Sequence, residues 1–383
     1  MREAPRVVAV TPGPPRAPET FSGTSVGVLE VLDRRGALAG AVDARTRLLP
    51  LLEKAASVSP DMERWKQRYN AGASPISPLV RQAMSAIGTR RAADAAPDAN
   101  VLLQLTGYFD PVPKRAGVLR CSYHDGNLAG YLRRADLRLS PEAAGVRKAV
   151  AYEQSMYDSI DLIFTMSERL RQSFIDDFGQ APDKVVTVGA GANVTAPEHT
   201  PPREPGPPRL LFVGKQFERK GGPTVVAAFE RLRAEQPDAE LWIVGPTGLE
   251  LDVPGVTVHG RISREEPGGE HRIAELYERA TAFVMPSIYE PLGIAILEAM
   301  AYRLPCVGSR AGAIPELIVE GETGFLIEPG DSDDLLGHLR TLAGDHDLAQ
   351  RIGAAGFERY KRGFTWDSVV DRMLAAIDAR RSA

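Results

Sequence analysis

The stretch Ala282–Ala301, AFVMPSIYEPLGIAILEAMA, reads as one complete strand–turn–helix unit. Ala282–Met285 is a short apolar run of strand length, and Pro291 and Gly293 punctuate the turn after it. A helix is expected from about Ile294, which leaves free backbone N–H groups and a positive dipole end at Gly293, where a phosphate could dock. Ile294, Ile296 and Leu297 pack that helix. Glu290 stands before it and Glu298 two turns into it, eight positions apart. An isolated ionised carboxylate at Glu298 would be costly to bury among these apolar neighbours, so a polar ligand is expected beside it. A pair of acceptor oxygens suits the vicinal hydroxyls of a sugar or a ribose.

The same alternation runs outward in both directions. Strand candidates are Arg6–Val10, Val101–Leu105, Val118–Ser122, Leu162–Thr165 and Val185–Val188. Later ones are Leu210–Val213, Leu241–Val244, Val256–His259, Cys306–Gly308 and Phe325–Ile327. Helical periodicity fills the gaps, as in Thr224–Ala234 and in Ser167–Phe178, with Ser167 as N-cap. Such βα repetition marks parallel, doubly wound sheets. At 383 residues the chain exceeds one ordinary core. A seam is visible at Pro197–Pro208, PEHTPPREPGPP, where six of twelve residues are proline and an extended linker is expected. Ligands of such sheets bind beyond the carboxyl ends of the strands, so two facing domains imply a cleft. Arg45–Ala95 fits the alternation poorly; it is helical in composition and carries Trp65 and Tyr69. It reads as helices covering one sheet face, with an acceptor-binding or membrane-facing element as the alternative.

Composition narrows the class. The chain is 43% hydrophobic and 25% charged, as in a soluble globular protein, and its net charge of -4 points away from nucleic acid. No apolar run reaches spanning length, and Met1–Pro5 lacks the apolar core of a signal peptide. Cys121 and Cys306 have no disulfide framework or metal-ligand spacing and read as buried thiols. The cytoplasm is the expected compartment, with peripheral contact to a membrane surface left open.

A second motif is Phe212–Gly222, FVGKQFERKGG, where a strand ends at a glycine, a basic loop follows and two more glycines open a helix. Glycines let the backbone approach phosphate closely, and lysines neutralise its charge. With Glu290 and Glu298, the chain resembles glycosyltransferase family 4, the retaining group 1 glycosyltransferases of GT-B fold, whose hallmark is two glutamates separated by seven residues. The resemblance implies that Glu290 contacts the transferred sugar and Glu298 the ribose, while Leu292 and Gly293 offer backbone amides to sugar and phosphate. It places Lys215 and Lys220 on the diphosphate; the family's first residue there is usually arginine, and Lys215 keeps the charge without the bidentate fork. His259–Ser263 matches the segment that reads the base, which makes Ile262 a base contact. In the first half, Ser22 and Gly23 lie in the turn after the first strand, and His124 falls at a strand end where the family places a sugar-contacting histidine. The implied organisation is a GT-B α/β fold of two Rossmann-like domains facing a cleft. Residues 1–196 would form the acceptor side, 197–208 a hinge, 209–362 the nucleotide-sugar side, and 363–383 a helix returning to the first domain.

Three lookalikes are set aside. Gly189-Ala190-Gly191 imitates a dinucleotide fingerprint, but Val194 stands where the third glycine belongs. Asp331-Ser332-Asp333 imitates a metal-binding DxD but precedes an amphipathic helix over Leu335–Leu342, so capping explains it better. The six histidines have no zinc-site spacing. The expectation is therefore no metal and no cofactor, the nucleotide sugar being a substrate. The expected function is transfer of a hexose from a UDP- or GDP-sugar to an acceptor that is a sugar, a lipid-linked sugar or a small molecule. A related sugar phosphorylase or synthase, or a non-catalytic sugar-nucleotide-binding protein, is the alternative.

Overall fold

Two sheets, each of six strands, organise the chain; a computed structural model describes residues 3–45, 78–107, 109–133, 144–197, 203–264 and 266–382. Two units result, one of residues up to Gly189 together with those from Val369 onward, the other Ala190–Ser368.

In the first unit the strands are β1 (Val7–Thr11), β2 (Leu38–Asp43), β3 (Val101–Leu105), β4 (Leu119–His124), β5 (Leu162–Thr165) and β6 (Val185–Thr187). They pair in the order β2-β1-β3-β4-β5-β6, all parallel. The helices are α1 (Thr24–Arg34), α2 (Pro78–Ala95), α3 (Leu128–Leu132), α4 (Ala144–Ser159) and α5 (Glu168–Phe178). Ser167 caps α5 as expected, accepting from Leu170 N at 3.1 Å. Strand β2 has no counterpart in the apolar-run reading. It is LAGAVD, an edge strand among the described residues, paired with β1 and half-buried along its length, so small residues suffice and no bulky run betrays it.

Helix α2 supplies Val80, Met84 and Ala92 to a core shared with Val8, Val10 and Leu102, so the end of the Arg45–Ala95 stretch does cover a sheet face. Trp65 and Tyr69 lie outside the described residues. A buried polar network joins α2 to α4, in which Arg81 Nη2 faces Glu153 Oε1 at 3.5 Å and Glu153 Oε2 accepts from Tyr157 OH and Leu128 N, each at 3.0 Å.

The second unit carries β7 (Arg209–Val213), β8 (Glu240–Val244), β9 (Val256–Gly260), β10 (Ala282–Met285), β11 (Cys306–Ser309) and β12 (Gly324–Ile327). Their order is β12-β11-β10-β7-β8-β9, again parallel throughout. Winding thus proceeds outward from β7 in one direction and from β10 in the other, which puts a topological switch point between β7 and β10. The helices are α6 (Gly222–Glu235), α7 (Gly269–Arg279), α8 (Ile294–Ala301), α9 (Ile314–Leu317), α10 (Ser332–Gly344) and α11 (His346–Gly363); α12 (Trp366–Ser382) starts in this unit and from Val369 belongs to the first. Asp331 caps α10 by accepting from Asp333 N and Asp334 N, so the DxD lookalike is a helix start. Both cysteines are buried free thiols, pushed to high pKa by burial.

The division between the units falls at Gly189/Ala190 and not within 197–208. Residues 198–202 lie outside the described set, but Arg203 shows what the end of the proline-rich stretch does. Its guanidinium donates to the carbonyls of Ala280 (2.7 Å), Tyr277 (3.3 Å), Tyr302 (2.7 Å) and Arg303 (3.1 Å). These carbonyls lie in or just past the last turns of α7 and α8, where the helix ladder leaves carbonyls unpaired. Burial lowers the Arg203 pKa to about 10, so it stays charged at neutral pH. This end of the stretch, expected as an extended linker, is fastened to the second unit by four bonds. Arg203→Ala should lower unfolding free energy by about 2 kcal/mol or more, because several buried carbonyls lose a charged donor at once. Urea unfolding of the pure protein measures this, and an unchanged midpoint would contradict it.

Candidate functional site

The switch point of the second unit gathers most of the chemistry. Loops at the carboxyl ends of β7 and β10 meet there, one running from Gly214 to Gly221, the other from Pro286 to Gly293. Lys220 lies across Gly214 so closely that a Cβ at 214 would sit 2.1 Å from its Cδ, so a side chain there would displace the lysine from this path. Its ammonium then reaches Glu290 Oε2 at 3.0 Å. Ser287 Oγ (3.3 Å) and Arg219 Nη1 (3.5 Å) converge on the same oxygen. Arg219 also donates to the Tyr289 carbonyl and to Gln216. Glu290 is only 6% exposed, yet its Oε1 makes no hydrogen bond among the described residues.

Gly293 begins α8 at φ +104, a backbone conformation that side chains disfavour, and no side chain caps the helix. The first amides of α8 therefore point outward with the positive end of the dipole and no protein side-chain acceptor. Leu292 is buried beside this turn. Lys215 is exposed at the start of the β7 loop, and Ile262 is half-buried just after β9.

Glu298 is not the isolated carboxylate expected from its apolar neighbours. Arg264 Nη2 donates to its Oε1 at 2.7 Å and the Tyr277 hydroxyl to its Oε2 at 2.8 Å. The second terminal nitrogen of Arg264 donates to the Asn193 carbonyl. Burial works against the Arg264 charge, but Glu298 beside it outweighs this and the pKa is raised. Burial pushes the Tyr277 phenol well above its ordinary pKa, and the Glu298 charge pushes the same way, so the hydroxyl stays a donor.

The sequence reading gave no role to Arg219, Ser287, Arg264 or Tyr277. Arg219 and Ser287 lie inside the stretches Phe212–Gly222 and Ala282–Ala301 already quoted, and Arg264 follows Ser263. Tyr277 sits on the buried stripe of α7 with Ile273 and Leu276, and its pattern is that of a core aromatic.

In the first unit, Phe21 (φ 51), Ser22 (φ 55) and Gly23 (φ 86) form a left-handed turn leading into α1. Strain in two successive non-glycine residues is characteristic of functional turns. His124 stands differently from the sugar contact expected of it. It is fully buried, packed on Tyr157 and Phe174 at centroid distances of 5.5 and 5.1 Å. Neither ring nitrogen has a hydrogen-bond partner among the described residues. β4 runs two residues beyond its expected end, and that extension carries the imidazole into the sheet-facing core. Of the lookalikes, Gly189 accepts from the Tyr123 hydroxyl at 2.6 Å and Gly191 packs against Trp366. Among the described residues, no three of His, Cys, Asp and Glu cluster to hold a metal ion, and no helix is long and apolar enough to cross a membrane.

Residues 207–345 match the family described as glycosyl transferases group 1. The α-maltose-1-phosphate synthase of Mycolicibacterium smegmatis is 29% identical over 253 residues, 58% of this chain and 64% of that protein. The chain thus spans somewhat less than two thirds of that curated relative. Among solved structures, the sucrose-phosphate synthase of Thermosynechococcus elongatus superposes with a TM-score of 0.68 at 17% identity, covering 98% of each chain. HepE of Anabaena, solved with UDP and glucose, gives 0.63 at 16% identity over 98% of this chain and 100% of that one.

The burial of His124 has a pH signature. Its pKa is lowered from the ordinary 6.5 to about 3 by desolvation. The unfolded chain therefore takes up a proton that the folded chain refuses, and His124 costs stability as pH falls from about 6.5 towards 3. Between pH 7 and pH 5 this loss should be about 2 kcal/mol. His124→Phe should flatten that part of the profile, measured by urea midpoints at the two pH values; identical profiles would place the imidazole in contact with water.

Proposed function

Because residues 207–345 belong to the group 1 glycosyltransferases and the chain takes the GT-B fold, we propose that the protein transfers a hexose from a UDP- or GDP-linked donor to a hydroxyl acceptor, with retention and without a metal ion. The observation that carries this reading is the meeting of Lys220, Glu290 and the uncapped start of α8 at the switch point.

Departure of a nucleoside diphosphate concentrates negative charge on the bridging and terminal phosphate oxygens. Lys220, Lys215 and the first amides of α8 supply the matching positive charge, the work a divalent cation does at other such sites. An ammonium has three N–H donors, so Lys220 can hold Glu290 and a phosphate oxygen together. Glu290 Oε1 is left to accept from a sugar hydroxyl, and Glu298 takes the ribose. The names of the relatives, a maltose-1-phosphate synthase and a sucrose-phosphate synthase, support glycosyl transfer to a hydroxyl. The UDP and glucose bound to the Anabaena protein support a nucleotide-sugar donor.

Stereochemistry follows from what Glu290 is not. Double displacement needs a carboxylate nucleophile beneath the ring. A carboxylate that already receives Lys220, Ser287 and Arg219 on one oxygen is held and partly neutralised, which suits binding better than attack. Front-face attack remains, in which the acceptor oxygen bonds to the anomeric carbon as the diphosphate leaves and a phosphate oxygen takes the acceptor proton.

Lys220→Ala should lower kcat/KM at least tenfold, about 1.4 kcal/mol of transition-state stabilisation, with the fold intact. A folded variant with the wild-type rate removes Lys220 from the site. Independently, product formed from an α-linked donor in excess EDTA should be α-linked by its anomeric coupling in NMR. A β-linked product defeats front-face attack, and loss of turnover restored by manganese or magnesium defeats metal independence.

A further inference from the structure

We propose that Tyr277 and Arg264 are positioning residues that set the Glu298 carboxylate to receive a vicinal diol, one hydroxyl on each oxygen, and so make the site select ribonucleotides. This rests on the reading above that Glu298 meets the donor ribose.

The geometry is specific. Each carboxylate oxygen has two lone-pair sites. Arg264 occupies one on Oε1 and Tyr277 one on Oε2, at 2.7 and 2.8 Å, which leaves one site on each. An arginine unopposed would take both oxygens as a fork. Here the second terminal nitrogen of Arg264 is turned to the Asn193 carbonyl, and Oε2 is reserved for the phenol. Neither donor is free to drift. Tyr277 is fully buried and stacks on Tyr302 at 5.3 Å and 14°, and Tyr302 in turn donates to the Thr195 carbonyl at 3.3 Å. The carboxylate plane is thus fixed from both sides.

A structural role alone accounts poorly for the cluster. Glu298 is 6% exposed on a helix whose other buried residues, Ile296, Leu297, Ala299, Met300 and Ala301, are all apolar. A buried ion pair there stabilises no better than a packed hydrophobic residue of similar volume. A ligand diol that completes the remaining lone pairs gives the charge a purpose.

The test is calorimetric titration of the full chain with UDP, GDP and ADP, each beside its 2′,3′-dideoxy form. Wild type should bind the preferred ribonucleotide at least about tenfold more tightly than its dideoxy form, a difference of about 1.4 kcal/mol. Tyr277→Phe keeps the ring and its stacking; it should weaken the ribonucleotide about fivefold or more while leaving the dideoxy form within about twofold. Arg264→Gln should show the same pattern, so the proposal stays testable if either variant folds poorly. Equal weakening of both forms, or of neither, overturns it. Glu298→Gln separates the two readings. If it leaves the ribose preference intact, the placement of Glu298 is wrong; if it abolishes that preference while Tyr277→Phe does not, only the positioning role fails.

Discussion

Two carboxylates, Glu290 and Glu298, are buried near one short apolar helix, and the surroundings of α8 are arranged to make that tolerable. An unpaired buried charge costs several kcal/mol, so each glutamate draws donors from elsewhere in the chain. Glu290 takes its partners from the β7 loop and from its own turn. Glu298 takes one from the segment after β9 and one from α7. Gly214 exists to let Lys220 cross to β10, and the parallel order around β7 and β10 brings those loops together. The sheet order is thus the frame on which the charge pairing depends.

The first unit solves a similar problem without solvent-facing charge. Arg81 and Glu153 are both nearly excluded from water, and Glu153 also receives Tyr157 and Leu128 N. Burial raises the Glu153 pKa even with Arg81 beside it. Tyr157 bridges this network to the ring cluster of His124, Phe174 and Phe178. The result is a rigid polar core beneath the carboxyl ends of β3 and β4, where the imidazole stays neutral.

The fold was legible wherever burial demanded bulk. Val101–Leu105, Leu162–Thr165 and Ala282–Met285 stand as strands with the bounds their apolar runs suggest. β2 escaped because an edge strand buried by half asks only for small residues. At the site, local spacing marked Lys220, Glu290 and Glu298, since glycines and lone charges among apolar residues stand out in one dimension. Their partners did not stand out. Tyr277 is separated from Glu298 by the end of α7, strand β10 and the loop Pro286–Gly293, and only three-dimensional packing makes its hydroxyl a donor and not a stray core polar atom. His124 shows the converse: a histidine at the end of a strand looks available in one dimension, whereas its packing on Tyr157 and Phe174 is visible only in three.

The two ends of α8 carry the last step. At its carboxyl end, Arg203 supplies the Tyr302 and Arg303 carbonyls with hydrogen bonds, and it does the same for α7 at Tyr277 and Ala280. At its amino end, Gly293 offers no side chain and the first amides meet no cap. Glycine in place of a polar N-cap costs only about a few tenths of a kcal/mol, so the omission is a small standing cost to the fold. A Cβ at 293 would meet Ile296 Cδ1 at 3.2 Å on a backbone at φ +104, so the position takes glycine and leaves the first amides to another acceptor. The asymmetry is explained if the missing acceptor arrives with the substrate: a phosphate oxygen then completes the helix, and the energy withheld from folding becomes binding energy at the place where charge develops.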